Sequence, residues 1–473
     1  MNNLPKKMHV IGICGVATSN IAIALQKRGV EITGSDKGFF PPVSTELSRQ
    51  NIRFYAGWHP ELMIEGGKPD IIMVGAASGT QNPETAYAKE NNIPCYSFPE
   101  ILAKYFIKPI SVVCAGTWGK TSSTALLSFI FEYAKKDPTY MIGGVSASHA
   151  SSAKLGDGNI NIFEGDEYKS SPTDNRAKFE HYKPNHVLLS AVEWDHADLY
   201  PTEESYFDAF RRLLKNINDI SGTIVINKDN SGIKKLISEN NYNKTKIITY
   251  GKNDADYASS EVENSREGIS FDIKYKDSTY HINSPMLGSF QAENITGCFA
   301  MASTLGLESN VIIKAISQFK GIKRRLEKRY SGDIDIYDDI AHSADKSNSV
   351  LQTIRDVYSK KVIAIFEPNS GGRARETLHK YNNAFKFADL VFIPRLTKLK
   401  VSSEENESKP IEGQELADYI SQTHSNCSYI DDDENVIEKI ISVAQKGDVI
   451  VFMGSHGFRG MIDECVSRLQ NQK

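Results

Sequence analysis

No apolar run in this 473-residue chain approaches the roughly 20 residues that a helix needs to span a bilayer, so a helical membrane protein is excluded. Charge of one sign is also missing. Lys+Arg number 55 against Asp+Glu 59, a net charge of −4, which gives no reason to expect nucleic acid or an acidic membrane as partner. Cysteine is sparse. Cys14, Cys95, Cys114, Cys298, Cys427 and Cys465 are scattered without a CxxC pair, and several fall inside strand or helix patterns as small apolar core residues do. That usage predicts a reducing compartment, most simply the cytoplasm. The N-terminus runs from Leu4-Pro5-Lys6-Lys7 into a short strand rather than into a signal-peptide apolar core. Internal repeats and low-complexity tracts are absent. What is present, 40% hydrophobic and 24% charged residues, is the composition of a globular protein too long for one core, so two to four domains are expected.

The most telling stretch is Cys114-Ala115-Gly116-Thr117-Trp118-Gly119-Lys120-Thr121-Ser122. An apolar run, Ile110 to Val113, reads as a buried strand before it, and Thr121 to Tyr133 reads as a helix after it. Strand, glycine turn and Lys-Thr at a helix start suit a nucleoside triphosphate. Loop N–H groups and the helix dipole cradle phosphate oxygens, Lys120 meets the β/γ-phosphates, and Thr121 offers its hydroxyl to Mg²⁺. Cys114 occupies the first position of GxxxxGK[ST], so the pattern is the shorter Gly-Thr-x-Gly-Lys-Thr-Ser. ATP binding is the expectation.

Strands alternate with helices along the first hundred residues. Met8 to Ile13, Val30 to Thr33 and Asp70 to Val74 read as strands and Ala17 to Gln26 as a helix, which predicts a doubly wound parallel sheet. A break falls at Ile107-Lys108-Pro109. The second region carries the phosphate loop, strands ending at Glu164 and Ser190, a β-rich insertion from Asp256 to Asn283, and a helix from Ala292 to Leu305. The third begins near Gly321 with strands Ile334–Tyr337, Val362–Phe366, Leu390–Ile393 and Val449–Met453, read as a second parallel sheet of Rossmann type. Lys400 to Pro410 reads as a mobile surface loop. The predicted fold is therefore α/β in three consecutive domains: 1–108 Rossmann-like, 109–320 P-loop ATPase-like, and 321–473 Rossmann-like.

Several strand ends carry chemistry. Gly12-Ile13-Cys14-Gly15 opens the first helix without completing GxGxxG, and Gly34-Ser35-Asp36 ends the second strand. Such a turn and acid can receive a diphosphate and a sugar, and an ordinary strand–helix turn fits each pattern equally well. Glu164-Gly165-Asp166-Glu167-Tyr168 places a hard-oxygen ligand for Mg²⁺ at a strand end, with Glu164 first. Trp194-Asp195-His196-Ala197-Asp198 adds an imidazole on the same predicted sheet edge. Asp338-Asp339-Ile340-Ala341-His342 is a third acid–histidine strand end, with Arg324-Arg325 just upstream, where arginine can stabilise a transferring phosphoryl group.

In this order the pieces resemble the Mur ligase family, ATP-dependent amide-forming enzymes of peptidoglycan assembly, over essentially the whole chain. The resemblance implies a nucleotide site from Gly116, Thr117, Trp118, Gly119, Lys120, Thr121 and Ser122, joined by Asn294 and the junction Arg325. It implies metal ligation by Thr121, Glu164 and His196, and roles for Asp339 and His342. Gly12, Gly15, Ser35 and Asp36 are implied for UDP-N-acetylmuramate. Within the family three stretches look like the branch that takes the tripeptide L-Ala-γ-D-Glu-meso-diaminopimelate in peptidoglycan recycling. They are Glu164–Tyr168 followed by Asp174-x-Arg176-x-Lys178-Phe179, Phe366-Glu367-Pro368-Asn369-Ser370, and the glycine-rich Met453–Gly460. The alternative acceptor is L-alanine. Trp118, Gln291 and Ala344 stand where the family commonly has histidine, asparagine and proline.

The implied chemistry activates the muramyl carboxylate as an acyl phosphate, with ATP and Mg²⁺ required, and an amine of a peptide or amino-acid acceptor then displaces phosphate. Ligands on separate domains imply closure around that intermediate. A monomer or weak homodimer is expected. Two rival readings remain. A nicotinamide-dependent oxidoreductase conflicts with the broken GxGxxG, and a non-catalytic P-loop binding protein conflicts with the retained Lys120, Glu164, His196 and Asp339.

Overall fold

The computed structural model describes residues 3–76, 81–196, 198–239, 241–252, 254–398 and 410–471. The chain is α/β, in two compact units, and its described residues form three larger sheets and one two-stranded hairpin. The first unit holds Met1–Val262, Ser270–Pro285 and Ser289–Lys320; the second holds Glu263–Ile269, Met286–Gly288 and Gly321–Lys473.

The first sheet is parallel throughout, in the spatial order Arg53–Ala56, Glu31–Asp36, Lys7–Ile11, Ile71–Val74, Cys95–Ser97. The chain reverses its direction of growth on either side of Lys7–Ile11, and the carboxyl ends of strands at such a switch point form the crevice where α/β sheets bind ligands. The helix Phe98–Tyr105 that follows the last strand starts with a capping box, Ser97 with Glu100.

The second sheet is built around Ile110–Ala115, whose β-branched and small residues are buried on both faces, as a central parallel strand requires. Its neighbours are Ile160–Gly165 and His186–Leu189, both parallel and in register, so that Cys114 lies beside Glu164 on one side and Leu188 on the other. The order continues through Thr223–Asn227, Lys246–Gly251 and Tyr257–Ser259 to the antiparallel Gly268–Tyr275. The expected β-rich insertion is thus the antiparallel end of the central sheet. A hairpin that periodicity did not reveal, Lys169–Ser171 with Asp174–Ala177, lies between the second and third of these core strands.

In the second unit the strands run Glu327–Tyr330, Asp335–Asp339, Val449–Gly454, Val362–Glu367, Leu390–Pro394, Cys427–Ile430. All pairings are parallel except the first, where Glu327 opposes Asp338 antiparallel. The expectation of a purely parallel sheet is corrected at that edge. The chain enters this unit through a short turn, and a turn so short feeds an antiparallel neighbour, since parallel strands need a long crossover. The polar stretch from Lys400 falls outside the described residues up to position 409.

Candidate active site

The loop after Ile110–Ala115 is shaped by two glycines with positive φ, Gly116 at 137° and Gly119 at 82°; the second opens the helix Lys120–Tyr133. Their backbone conformations suit glycine, and neither has room for a Cβ. One at Gly116 would strike Ser190 Oγ and the Ala191 backbone, and one at Gly119 would stand 2.5 Å from Asn294 Oδ1. Thr117 fixes the loop from the other side: its N–H donates to Ala191 O at 2.9 Å, and its hydroxyl donates to Glu193 O at 2.9 Å. Ser190 Oγ donates to the Trp118 carbonyl. The Trp118 side chain is half exposed.

The strand ends converge here. Thr121 Oγ1 donates to Glu164 Oε1 at 2.9 Å, and Gly143 N donates to Glu164 Oε2 at 2.7 Å. Burial raises Glu164 above the ordinary carboxylate range, against the lowering by the Gly143 N–H and the Thr121 hydroxyl. Lys120 Nζ is 2.9 Å from Glu167 Oε1, and His196 Nε2 is 3.4 Å from that same oxygen. Glu167 has no solvent exposure, and its Oε2 has no hydrogen-bond partner among the described residues. Burial raises Glu167 too, with Lys120 pulling the other way. His196 has a φ of 56°, its N–H donates to Asp195 Oδ1 at 2.7 Å, and its ring meets Tyr168 edge-on at 5.3 Å.

The structure thus brings Lys120, Thr121, Glu164 and His196 together, and joins His196 to Glu167 rather than to Glu164. Glu167 and Ser190 were not singled out by sequence reasoning. Glu167 lay in the Glu-x-Asp-Glu motif, and its place three residues beyond Glu164 was the available signal. Asn294, in the helix Phe290–Thr304, is buried against Gly119, and its Nδ2 donates to Gln291 Oε1 at 3.3 Å. Ser122, in the first turn of the helix Lys120–Tyr133, is half-buried.

A cleft of about 370 Å³ opens at the switch point of the first sheet, lined among others by Gly12, Gly15, Asp36, Phe40, Trp58 and Phe98. Asp36 accepts from Cys14 N at 2.8 Å and Lys37 N at 2.7 Å, so its carboxylate pins the glycine turn. Ser35 is a correction to the expected substrate set. It is fully buried, and its hydroxyl donates to Glu84. Strand alternation turns Ser35 away while Asp36 faces the cleft.

In the second unit Asp339 accepts from Leu326 N and Ala341 N, each at 2.7 Å, and burial raises it. His342 Nδ1 is 2.6 Å from Ile340 O. The two arginines separate. Arg324 binds the carbonyls of Gly454, Ser455 and His456 and faces Asp338, whereas Arg325 is exposed.

Three family descriptions match consecutive parts of the chain: "Mur ligase family, catalytic domain" at 7–107, "Mur ligase middle domain" at 114–302, and "Mur ligase, glutamate ligase domain" at 324–456. The chain belongs to the Mur ligase family. It is accordingly an ATP- and Mg²⁺-dependent ligase. Among similar proteins are a UDP-N-acetylmuramate–L-alanine ligase of Caldicellulosiruptor saccharolyticus, 29% identical over 97% of each chain, and a UDP-N-acetylmuramate–L-alanyl-γ-D-glutamyl-meso-2,6-diaminoheptandioate ligase of Haemophilus influenzae, 26% identical over 98% of this chain and 99% of that one. The crystal structure of a UDP-N-acetylmuramate–alanine ligase from Thermotoga maritima superposes with a TM-score of 0.78 at 21% identity, covering 99% of this chain and all of that one, which establishes the three-domain α/β fold.

The residues at the loop fit the nucleotide and the ion. The Gly116–Gly119 turn is a cradle that any Cβ would fill, and Glu167 Oε2 is a buried oxygen without a partner. Among the described residues no cluster of three or more His, Cys, Asp or Glu side chains forms a closed metal cage. One or two carboxylates and a hydroxyl, completed by substrate phosphates and water, is how Mg²⁺ is ordinarily held. Among the described residues no helix is long and apolar enough to cross a membrane.

Proposed function

We propose that the chain joins UDP-N-acetylmuramate to L-alanine at the expense of ATP. The observation that supports this acceptor is the end-to-end similarity to relatives named as L-alanine ligases. In this reading 1–108 binds the sugar nucleotide through Gly12, Gly15 and Asp36, 109–320 binds ATP, and 321–473 serves the acceptor. A carboxylate oxygen of the muramyl group attacks the γ-phosphorus, and ADP leaves. The acceptor amine then attacks the acyl carbon, loses a proton, and inorganic phosphate departs.

The roles follow from charge. Backbone N–H groups of Gly116 to Ser122 and the start of the following helix receive phosphate oxygens. Lys120 neutralises charge that spreads over the transferring oxygens, and Glu167 holds its ammonium in place from a buried position. Thr121 and Glu164, with His196 through Glu167, would hold Mg²⁺, which supplies further charge neutralisation at the phosphates. Asn294, on the helix Phe290–Thr304, braces the loop at Gly119. Arg325, being exposed, has a guanidinium free for an anion, while Asp339 and His342 order the strand end that follows.

A second acceptor, the tripeptide L-Ala-γ-D-Glu-meso-diaminopimelate, is favoured by a specific feature. The chain carries the hairpin and Lys178 segment after Glu164–Tyr168, and Glu367 ends its strand ahead of Pro368-Asn369. Phosphate release from MgATP and UDP-N-acetylmuramate, measured with each acceptor and with product mass, separates the two. Turnover with L-alanine is the expected outcome. Turnover with the tripeptide alone replaces the acceptor, and turnover with neither overturns the reading.

A further inference from the structure

Between Ile160–Gly165 and His186–Leu189 the chain makes the hairpin Lys169–Ser171 with Asp174–Ala177 and then the short helix Phe179–Tyr182. The proposed reaction gives no residue of this segment a binding or catalytic role. Lys178, where the hairpin meets the helix, turns its ammonium back onto Asp166 in an ion pair. The same ammonium lies 5.4 Å from the ring centroid of Phe98 and 5.8 Å from that of Tyr168. Phe98 is a wall of the N-terminal cleft, and Asp166 stands between Glu164 and Glu167 in the run beside the phosphate loop. One nearly covered cation, its side chain 14% exposed, therefore lies against a wall of the cleft and against an acid flanked in sequence by Glu164 and Glu167.

An ammonium has three N–H donors. Asp166 accepts from one, and it is the hydrogen-bond partner of the Lys178 ammonium among the described residues. The two ring faces attract the charge without satisfying the remaining donors in the usual way. Lys120 is already committed to Glu167 and, in the proposed reaction, to phosphate. A substrate carboxylate passing from the cleft toward that loop leaves water, and this is costly unless a cation and hydrogen-bond donors meet it.

We propose that Lys178 binds the carboxylate of the acid substrate, offering the donors that Asp166 does not use while the sugar nucleotide occupies the N-terminal cleft. This rests on the sugar-nucleotide reading above. It assigns the hairpin a purpose: it returns Lys178 to Asp166, just past the end of the second strand and beside Phe98 of the cleft. Asp166 and the two rings hold the ammonium there before the substrate arrives.

The test compares two ligands that differ in the lactyl carboxylate, UDP-N-acetylmuramate and UDP-N-acetylglucosamine, by titration calorimetry on the full chain. The wild type is expected to prefer the first by about tenfold or more, the scale of a hydrogen bond to a charged group. In K178M, which keeps the aliphatic stem over Phe98 and Tyr168, that preference falls to near one while affinity for UDP-N-acetylglucosamine is unchanged. K178R restores part of it, and D166N, which frees the ammonium, keeps it. A K178M protein with the wild-type preference overturns the proposal, as does a wild type with none, or equal weakening of both ligands in K178M. If K178M does not fold, K178Q carries the same comparison. A wild type that binds neither ligand overturns the sugar-nucleotide reading itself, a distinct result.

Discussion

Glu84, behind the N-terminal cleft, and Glu167, beside the phosphate loop, are both without solvent exposure in the same unit, yet their surroundings differ. Glu84 is fully used: Oε1 accepts from Tyr55 OH at 2.7 Å and His59 N at 2.8 Å, and Oε2 accepts from Ser35, with His9 Nε2 at 3.6 Å. Burial pushes Glu84 up, but nearby His9 and the hydrogen bonds from Ser35 and Tyr55 outweigh it and leave it below the ordinary range. Glu167 keeps one oxygen unpartnered, and burial wins, leaving it raised. Folding alone favours the first arrangement, because an incomplete buried carboxylate costs free energy. The second arrangement persists where a ligand completes it, and so incompleteness marks the reaction site.

The sharpest break in the comparison comes at the lysine that faces Glu167. Lys120→Ala removes the loop's cation and is expected to lower turnover by at least about two decades, with the melting temperature within a few degrees of wild type. Phosphate release under saturating substrates reads it, and wild-type-like turnover removes Lys120 from the phosphate site.

Exchanging the two glutamates' functions in the assay comes next. Glu84→Ala leaves four donors or partners without their acceptor and should cost about 3 kcal/mol of stability while leaving turnover per folded molecule unchanged. Glu167→Gln should do the reverse. Turnover falls about tenfold or more, as when a group that orients another active-site residue is lost, and stability is equal or greater. Denaturant titration and steady-state kinetics on both variants would undo the contrast if both lost stability alone.

The acidity of each group adds a sign. Glu84 is lowered in the folded state, so its contribution is present above the unfolded pKa of about 4.3 and is lost as pH falls through the folded value. Glu167 is raised, so its ionised form costs stability above the folded value, and that cost disappears as pH falls through it. Wild type minus Glu84→Gln stability should therefore be positive at neutral pH and shrink on acidification. Wild type minus Glu167→Gln should be negative or zero and shrink from the other side. Equal signs at pH 7 would refute the assignment.

The contrast also shows what the sequence could and could not carry. Gly116 to Ser122 was legible because phosphate binding there is local: turn, cation and helix start lie within seven consecutive residues. Glu164 was legible because it ends a strand whose neighbour in register is the loop strand. The pairing of Glu167 with both Lys120 and His196 was not, since it needs three strand ends brought to one place. Nor was the antiparallel edge Glu327–Tyr330, where a polar four-residue strand gives little periodicity. The hairpin before Lys178 escaped for the same reason.

Ser35 gives the smallest effect and the cleanest separation of neighbouring residues. The sequence reads Gly-Ser-Asp as one ligand-binding turn, but Ser35 pairs across to Ile11 on one side and Tyr55 on the other, with its hydroxyl inside on Glu84. Ser35→Ala removes one neutral donor to a charged acceptor, and Glu84 keeps its bonds from Tyr55 and His59. A loss of about 1 kcal/mol is expected, with KM for UDP-N-acetylmuramate unchanged. Asp36→Ala, one residue on, frees the Cys14 and Lys37 N–H groups that shape the cleft and should raise that KM several-fold at nearly constant kcat. The KM of Ser35→Ala decides the point: a rise matching that of Asp36→Ala would put the serine back in the cleft and make Glu84, too, a part of the binding site.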